Sequence, residues 1–181
     1  FIVINKKEDS ERKVIFLDID GVMQPCCNEN RFRHDIRQTQ KDVAEKMGDE
    51  GYLKLDRYDV AAVYYDWDAK AVENLKKLIN DCDADVVISS DWKRSKSIDD
   101  LRLLFRLHGL DEYINEVTPF EIVSSKADDI NEYLKLHPGI KKYVVIDDLD
   151  MEKYFPGHMV CTIDESRLDD ESLKKAEEIL K

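Results

Sequence analysis

The chain has 181 residues, which is enough for one domain with a substantial hydrophobic core. Its residues are 43% hydrophobic and 38% charged, as in a soluble globular protein, and no apolar run is long enough to span a membrane. The formal net charge of −12 argues against a general nucleic-acid coat protein, because phosphate backbones are bound by basic surfaces.

The opening stretch, FIVINKKEDSER, lacks the long apolar core and the cleavage site of a secretory signal, and its short apolar beginning allows an extra edge strand. Four cysteines occur, Cys26, Cys27, Cys82 and Cys161, without the spacing of a disulfide framework or a zinc site. We therefore expect a reducing, cytoplasmic setting.

A buried strand followed by two acids comes next, in the run VIFLDIDGV. Val14 to Leu17 are consecutive apolar residues, as in a strand that is buried on both faces of a parallel sheet. Asp18 and Asp20 follow it, and Gly21 then allows a sharp turn or a close backbone approach to a ligand. Ligands of open α/β sheets lie at the carboxyl ends of the strands, where these acids would stand.

The segment from about 23 to 65 has no consistent helical or alternating period, and we interpret it as a lid or cap insert that overhangs the first strand. A short helix is plausible at 38–47, and the aromatic and valine content of 52–65 favours a small hairpin. Arg31, Arg33 and Arg37 make its first half locally positive and could hold a second phosphate or a nucleic-acid end. The alternative is a disordered charged loop.

The rest of the chain alternates strands with helices. Helical periodicity covers 66–81, 97–108, 124–136 and 169–180, and short apolar runs at 85–90, 143–146 and 159–163 predict strands. This alternation implies βαβ crossovers around a central parallel sheet, which makes the chain one three-layer α/β domain over 1–181.

Three of the predicted strands end in acidic or small polar residues, so their ends should meet at one rim of the sheet. Carboxylates gathered there repel one another unless a cation is present, and Mg²⁺ fits best because it prefers hard oxygen ligands. Asp18 could attack phosphorus and form a covalent aspartyl phosphate, while Asp20 protonates the leaving oxygen and later activates water. Ser89 could donate to phosphoryl oxygens, with Ser90 as its alternative, and Lys126 could neutralise developing charge.

This constellation resembles the haloacid dehalogenase (HAD) superfamily of phosphohydrolases, which has a Rossmann-like fold with a cap. DIDGV looks like its first motif, with Asp18 as nucleophile and Asp20 as acid/base; Ser89 looks like the second motif and Lys126 like the third. The fourth is the pair Asp147 and Asp148. The resemblance implies a metal held by Asp18, the backbone carbonyl of Asp20 and an acid of the fourth motif, assigned first to Asp148, with Asp147 and Asp150 as alternatives.

A narrower resemblance is carried by FLDIDGVM, ISSDWKRS, the TPF step, KADDINEYL and YVVIDDLD. Together these runs look like the HAD domain of Swiss Army Knife RNA repair proteins. That branch more often has serine where Asp91 stands here, and its third-motif region is often rich in arginine, whereas this chain offers Lys126.

We therefore predict a Mg²⁺-dependent phosphohydrolase that acts on a nucleotide or a nucleic-acid-end phosphate. Its candidate substrate-binding residues are Gly21, Ser90, Lys93, Arg31, Arg33 and Arg37. A solvated charge run would explain Lys93 equally well. Trp92 is expected to pack in the core or to stack on a base. The alternatives are a phosphatase of a small metabolite or a phosphoprotein, transfer to an acceptor other than water, and a phospholigand-binding domain without turnover. We expect no membrane association and no obligate protein partner.

Overall fold

The computed structural model describes residues 7–163 and 165–181. Its centre is a five-stranded sheet in which every neighbouring pair is parallel, with the order β3-β2-β1-β4-β5. The strands are β1 (Lys13–Leu17), β2 (Asp85–Ile88), β3 (Ile114–Val117), β4 (Lys142–Asp147) and β5 (Met159–Cys161). The predicted α/β class with a central parallel sheet is thereby confirmed.

The first strand occupies the middle of the sheet, and its register sets where the other strands end. Leu17 pairs with Ile88 of β2 on one side and with Ile146 of β4 on the other. The pairing continues one residue further, because the Asp18 N–H donates to the Ile146 carbonyl and the Ser89 N–H donates to the Leu17 carbonyl, each at 3.0 Å. Residues that follow the three strands therefore reach the same rim.

Helices cover both faces of the sheet, which gives the three layers. The α-helices of the described residues are α1 (Ile36–Met47), α2 (Arg57–Asp66), α3 (Ala69–Cys82), α4 (Ile98–Arg106), α5 (Lys126–Leu136) and α6 (Asp170–Leu180). Side chains of successive strand residues alternate between the faces. Leu17 therefore packs in one core with α1, α2, α3, α4 and α6, while Phe16 packs in the other with α5.

The predicted later elements are present with shifted ends. The helix expected from residue 66 begins at Ala69, because the Asp68 side chain caps it by accepting the Ala71 N–H at 2.8 Å. The structure adds β3, which the sequence analysis did not predict, at the edge of the sheet beside β2. The edge strand that the first apolar residues allowed falls at positions 1–6, outside the described residues.

The segment 23–65 is largely helical, so the predicted hairpin at 52–65 is wrong. A 3₁₀ helix, Glu50–Lys54, is followed by α2, whose first turn is capped by the Asp56 carboxylate accepting the N–H groups of Tyr58 and Asp59. The predicted helix at 38–47 is present as α1. Residues of α1 and α2 belong to the hydrophobic core on one face of the sheet. The 3₁₀ helix is tied to α4, because the Tyr52 hydroxyl donates to the Leu103 carbonyl at 2.7 Å.

Among the helices of the two described ranges, none combines the length and the apolar character that a membrane crossing requires. All four cysteines are free thiols: Cys26 and Cys27 are exposed, Cys82 is buried and Cys161 lies between these extremes.

Candidate active site

The carboxylate of Asp18 lies at the centre of a buried charged cluster at the ends of β1 and β4. The side chain of Lys126, the first residue of α5, brings its ammonium to 2.9 Å from Asp18 Oδ2 and to 3.1 Å from Asp147 Oδ2. Asp18 and Asp147 are 1% and 0% exposed. One lysine therefore bridges two carboxylates that hardly touch solvent.

Burial sets the protonation of this cluster. It raises the pKa of Asp18, against which the neighbouring Lys126 works, and it raises the pKa of Asp147 to about 7 together with repulsion from Asp18. Burial opposes the charge of Lys126, but the two carboxylates outweigh it and raise the pKa of the ammonium. Lys126 therefore stays positively charged, but its single charge does not balance the two carboxylates of Asp18 and Asp147.

Three carboxylates in the cluster are arranged as a cation would need them. Oxygen atoms of Asp18, Asp147 and Asp148 all lie within 4.8 Å of one another. Asp147 already accepts hydrogen bonds from Lys126 and from the Leu149 N–H. Within the described residues nothing donates to the Asp148 carboxylate, which leaves it free for a metal. These hard oxygen donors fit Mg²⁺.

Asp150, the remaining candidate ligand, does not join the cluster. Its side chain is exposed, and it accepts the Glu152 N–H at 2.9 Å, so it closes the turn after β4 instead.

Gly21 lies where the backbone after β1 passes directly beside Asp148. Its φ of +73° is in the left-handed region, and a Cβ there would collide with the Asp148 carboxyl group. The Thr162 hydroxyl donates to its carbonyl oxygen at 2.6 Å. Gly21 therefore contributes space for a carboxylate, a role that the sequence analysis described only as close backbone approach.

Asp20 is exposed at the mouth of the site and is held by an aromatic residue. The indole Nε1–H of Trp92 donates to Asp20 Oδ2 at 2.9 Å. Trp92 belongs to a short 3₁₀ helix, Asp91–Arg94, that follows β2. Trp92 is half-buried and packs against the hydrophobic core, which is one of its two predicted roles. The sequence analysis missed its contact with Asp20, because the two residues are 72 positions apart.

Two buried serines follow β2. Ser89 is fully buried, and its hydroxyl has no hydrogen-bond partner among the described residues, so it is available to a ligand. The Ser90 hydroxyl accepts the Trp92 N–H and also hydrogen-bonds Asp18, where it lowers the pKa of that carboxyl group. The hydroxyl of Thr118, after β3, is buried and unpartnered in the same way, but β3 was not predicted and Thr118 was therefore not a candidate.

Lys93 is not brought to the acid cluster. Its ammonium is buried and donates to Asp129 Oδ2 at 2.7 Å and to the Ser89 carbonyl at 3.1 Å. Burial lowers the pKa of Lys93, and Asp129 opposes that shift. Arg94 also donates to Asp129 and to the carbonyl of Ser124, at 3.0 and 2.8 Å. The geometry therefore gives Lys93 a structural contact between the end of β2 and the start of α5.

The three candidate arginines, Arg31, Arg33 and Arg37, differ in their surroundings. Arg31 donates to the buried carboxylate of Asp66, so its charge is already paired. Arg33 and Arg37 are exposed, and neither forms an ion pair with any described residue. Only these two have guanidinium groups that are free to meet a ligand.

A parallel α/β sheet whose central strands end in an acid cluster with one lysine is the architecture of the haloacid dehalogenase superfamily. A family model described as "HAD domain in Swiss Army Knife RNA repair proteins" matches residues 14–173, and the chain belongs to that family. Membership indicates phosphohydrolase activity, and the superfamily generally uses Mg²⁺. Searches of curated proteins and of solved structures found no significant match.

Proposed function

We propose that the protein is a Mg²⁺-dependent phosphatase that works through an aspartyl-phosphate intermediate. The observation that carries the proposal is the cluster in which the buried Asp18 carboxylate, the Lys126 ammonium and the carboxylates of Asp147 and Asp148 meet at one point. Such a combination is favoured where a nucleophile must approach an anionic phosphate.

In this mechanism Asp18 attacks phosphorus, and the bond to the leaving oxygen breaks. Lys126 stabilises the negative charge that gathers on the phosphoryl oxygens, because its ammonium is already within 2.9 Å of the nucleophile. Asp20 gives a proton to the leaving oxygen and then takes one from the water that hydrolyses the intermediate. The free hydroxyl of Ser89 donates to a phosphoryl oxygen.

Asp18, Asp148 and the backbone carbonyl of Asp20 would hold the metal, with Asp147 as a further ligand or as the partner of Lys126. When bound, Mg²⁺ supplies positive charge that offsets the repulsion between the acids and the incoming phosphate. The Lys126 ammonium, 2.9 Å from Asp18 Oδ2, also holds the Asp18 carboxylate in place.

The preferred substrate in this proposal is a nucleotide or a nucleic-acid end. Two observations support it: the family description names RNA repair, and Arg33 and Arg37 are exposed and unpaired among the described residues. In this view the segment 23–65 acts as the lid that recognises the substrate. The four free cysteines fit a reducing, cytoplasmic setting.

A small phosphorylated metabolite or a phosphoprotein is the second candidate substrate. The net charge of −12 favours it, because a strongly acidic protein repels a long polyanion. Activity on a nucleic acid should fall steeply as salt is raised, whereas activity on a small metabolite should change little.

The test is phosphate release from mononucleotides, phosphate-ended oligonucleotides, sugar phosphates and phosphopeptides, each with Mg²⁺ or with EDTA. We expect release that requires Mg²⁺ and that disappears in Asp18→Asn, which keeps the shape of the side chain but cannot form the intermediate. Normal turnover by a folded Asp18→Asn protein would refute the mechanism. Phosphate binding without release by the wild type would indicate a binding module instead.

A further inference from the structure

The contact between Trp92 and Asp20 joins two segments that are far apart in the sequence. Asp20 follows β1, whereas Trp92 follows β2, and the only polar atom of the indole is directed at the carboxylate, with Nε1 2.9 Å from Oδ2. No described residue donates to the other oxygen, Oδ1. The two carboxylate oxygens of Asp20 therefore differ in the absence of substrate, because Oδ2 accepts the indole N–H and Oδ1 accepts no hydrogen bond from a described residue.

Trp92 is held by hydrogen bonds of its backbone and by a cation that lies over the face of its ring. The Trp92 N–H donates to the Ser90 hydroxyl at 3.3 Å, and its carbonyl accepts the Ser95 N–H at 3.2 Å. The Lys96 ammonium lies 4.6 Å from the ring centroid, and it also pairs with Asp59 of α2 at 2.9 Å. Trp92 is also half-buried and packs against the hydrophobic core, so these contacts together limit the rotation of the indole about its side-chain bonds.

We propose that Trp92 is a positioning residue that makes Asp20 Oδ1 the oxygen that carries the transferred proton. The inference rests on the proposed function. In a protonated carboxyl group the carbonyl oxygen is the better acceptor, so an N–H donated to Oδ2 leaves the O–H on Oδ1. As Asp18 bonds to phosphorus and the ester P–O bond breaks, that proton passes to the leaving oxygen. Asp20 becomes a carboxylate, and the indole N–H continues to stabilise it.

The kinetic test compares leaving groups in Trp92→Phe, which keeps an aromatic ring but removes the N–H. A p-nitrophenolate leaves without protonation, whereas an alkoxide needs the proton. We expect kcat/KM for an alkyl phosphate to fall by about 10-fold or more, and kcat/KM for p-nitrophenyl phosphate to stay within about 2-fold. In an Asp20→Asn background, Trp92→Phe should cause no further loss with the alkyl phosphate, because the proton donor is already absent.

An equal loss with both esters would show a merely structural role and would overturn this inference while leaving the proposed function intact. No release from either ester by the wild type would overturn the proposed function, and this inference with it.

A second measurement keeps Trp92 and does not depend on turnover. In ¹⁵N-labelled protein, Asp20→Ala should move the Trp92 indole N–H resonance upfield, because the hydrogen bond to the carboxylate is lost. Trp67 is the internal control, since its buried Nε1 has no partner among the described residues and its resonance should stay in place. An unmoved Trp92 resonance would show that the contact is absent in solution and would overturn the proposal.

Discussion

Single residues decide whether the acid cluster can accept a cation, and Gly21 is the most specific of them. Both Gly21 and Gly48 have positive φ, at +73° and +64°, but a Cβ at Gly48 would meet open space. We expect Gly21→Ala and Gly48→Ala to share a backbone cost of about 1–2 kcal/mol. Only Gly21→Ala should also displace the Asp148 carboxylate and weaken Mg²⁺ binding.

The pair of variants separates the two effects, because denaturant unfolding reports the shared strain and calorimetric Mg²⁺ titration reports the site. Equal Mg²⁺ affinity in the two variants would show that Asp148 is not a ligand or that it moves freely away from the new methyl group.

At this scale the sequence predicted the shared rim of the acids but misplaced Lys93 and did not predict what each side chain touches. Asp18, Asp20 and the acids after β4 follow apolar runs, so their shared rim could be inferred from strand polarity alone. The contacts of Trp92 with Asp20 and of Lys93 with Asp129 could not, because residues separated by 72 and 36 positions meet only after the crossovers have formed.

Between elements, the strongest polar link joins the end of β2 to the first turns of α5. Asp129 lies one turn after Lys126 and accepts from both Lys93 and Arg94. Lys93→Met removes one of the two cationic partners of the buried Asp129, which then keeps only Arg94 and the Ser124 hydroxyl as side-chain donors among the described residues. We expect a loss of about 3 kcal/mol in the free energy of unfolding, measured by urea denaturation.

The matched control is the double variant Lys93→Met/Asp129→Asn, which removes both charges. It should be more stable than Lys93→Met alone, since no unpaired charge remains in the interior. If Lys93→Met is as stable as the wild type, the ion pair contributes nothing net, and Arg94 and the Ser124 hydroxyl suffice to satisfy Asp129.

Helices and strands with a strong apolar periodicity were predicted correctly, whereas β3 was missed and α2 was assigned to the wrong class because of its amino-acid composition. The edge strand β3 was missed because INEV has only one fully buried residue, so it carries no continuous apolar run. The helix α2 was taken for a hairpin because its tyrosines and valines favour strands. The capping carboxylate of Asp56 and the burial of Val60 to Val63 in the core outweigh that preference.

For the whole molecule, the burial of Asp18 and Asp147 at the end of the sheet should make the free energy of unfolding depend on pH and on Mg²⁺. The pKa of Asp147 is raised from 3.8 to about 7, so the folded state keeps a proton that the unfolded state releases between these values. In the absence of metal, folding stability should therefore fall as the pH rises from about 4 to 7.

Mg²⁺ should reverse this loss, because it binds the deprotonated acids. At 100 times its dissociation constant it adds about 2.7 kcal/mol, which corresponds to about 5–10 °C in Tm for a chain of this size. Thermal unfolding with and without Mg²⁺ should show a larger gain at pH 8 than at pH 5. Asp148→Asn should abolish most of the gain, and an equal gain in that variant would place the metal elsewhere.

The segment 23–65 shares its hydrophobic core with β1, and this limits which changes to the segment the fold can tolerate. Val43 and Val63 belong to the same hydrophobic core as Leu17, and the His108 ring nitrogen Nε2 lies 2.7 Å from the Val63 carbonyl oxygen. Excision of the segment would expose apolar surface on the sheet, so it is not a detachable module. If the proposed function holds, new substrates would be reached by exchanging exposed side chains such as Arg33 and Arg37 while the interior stays unchanged.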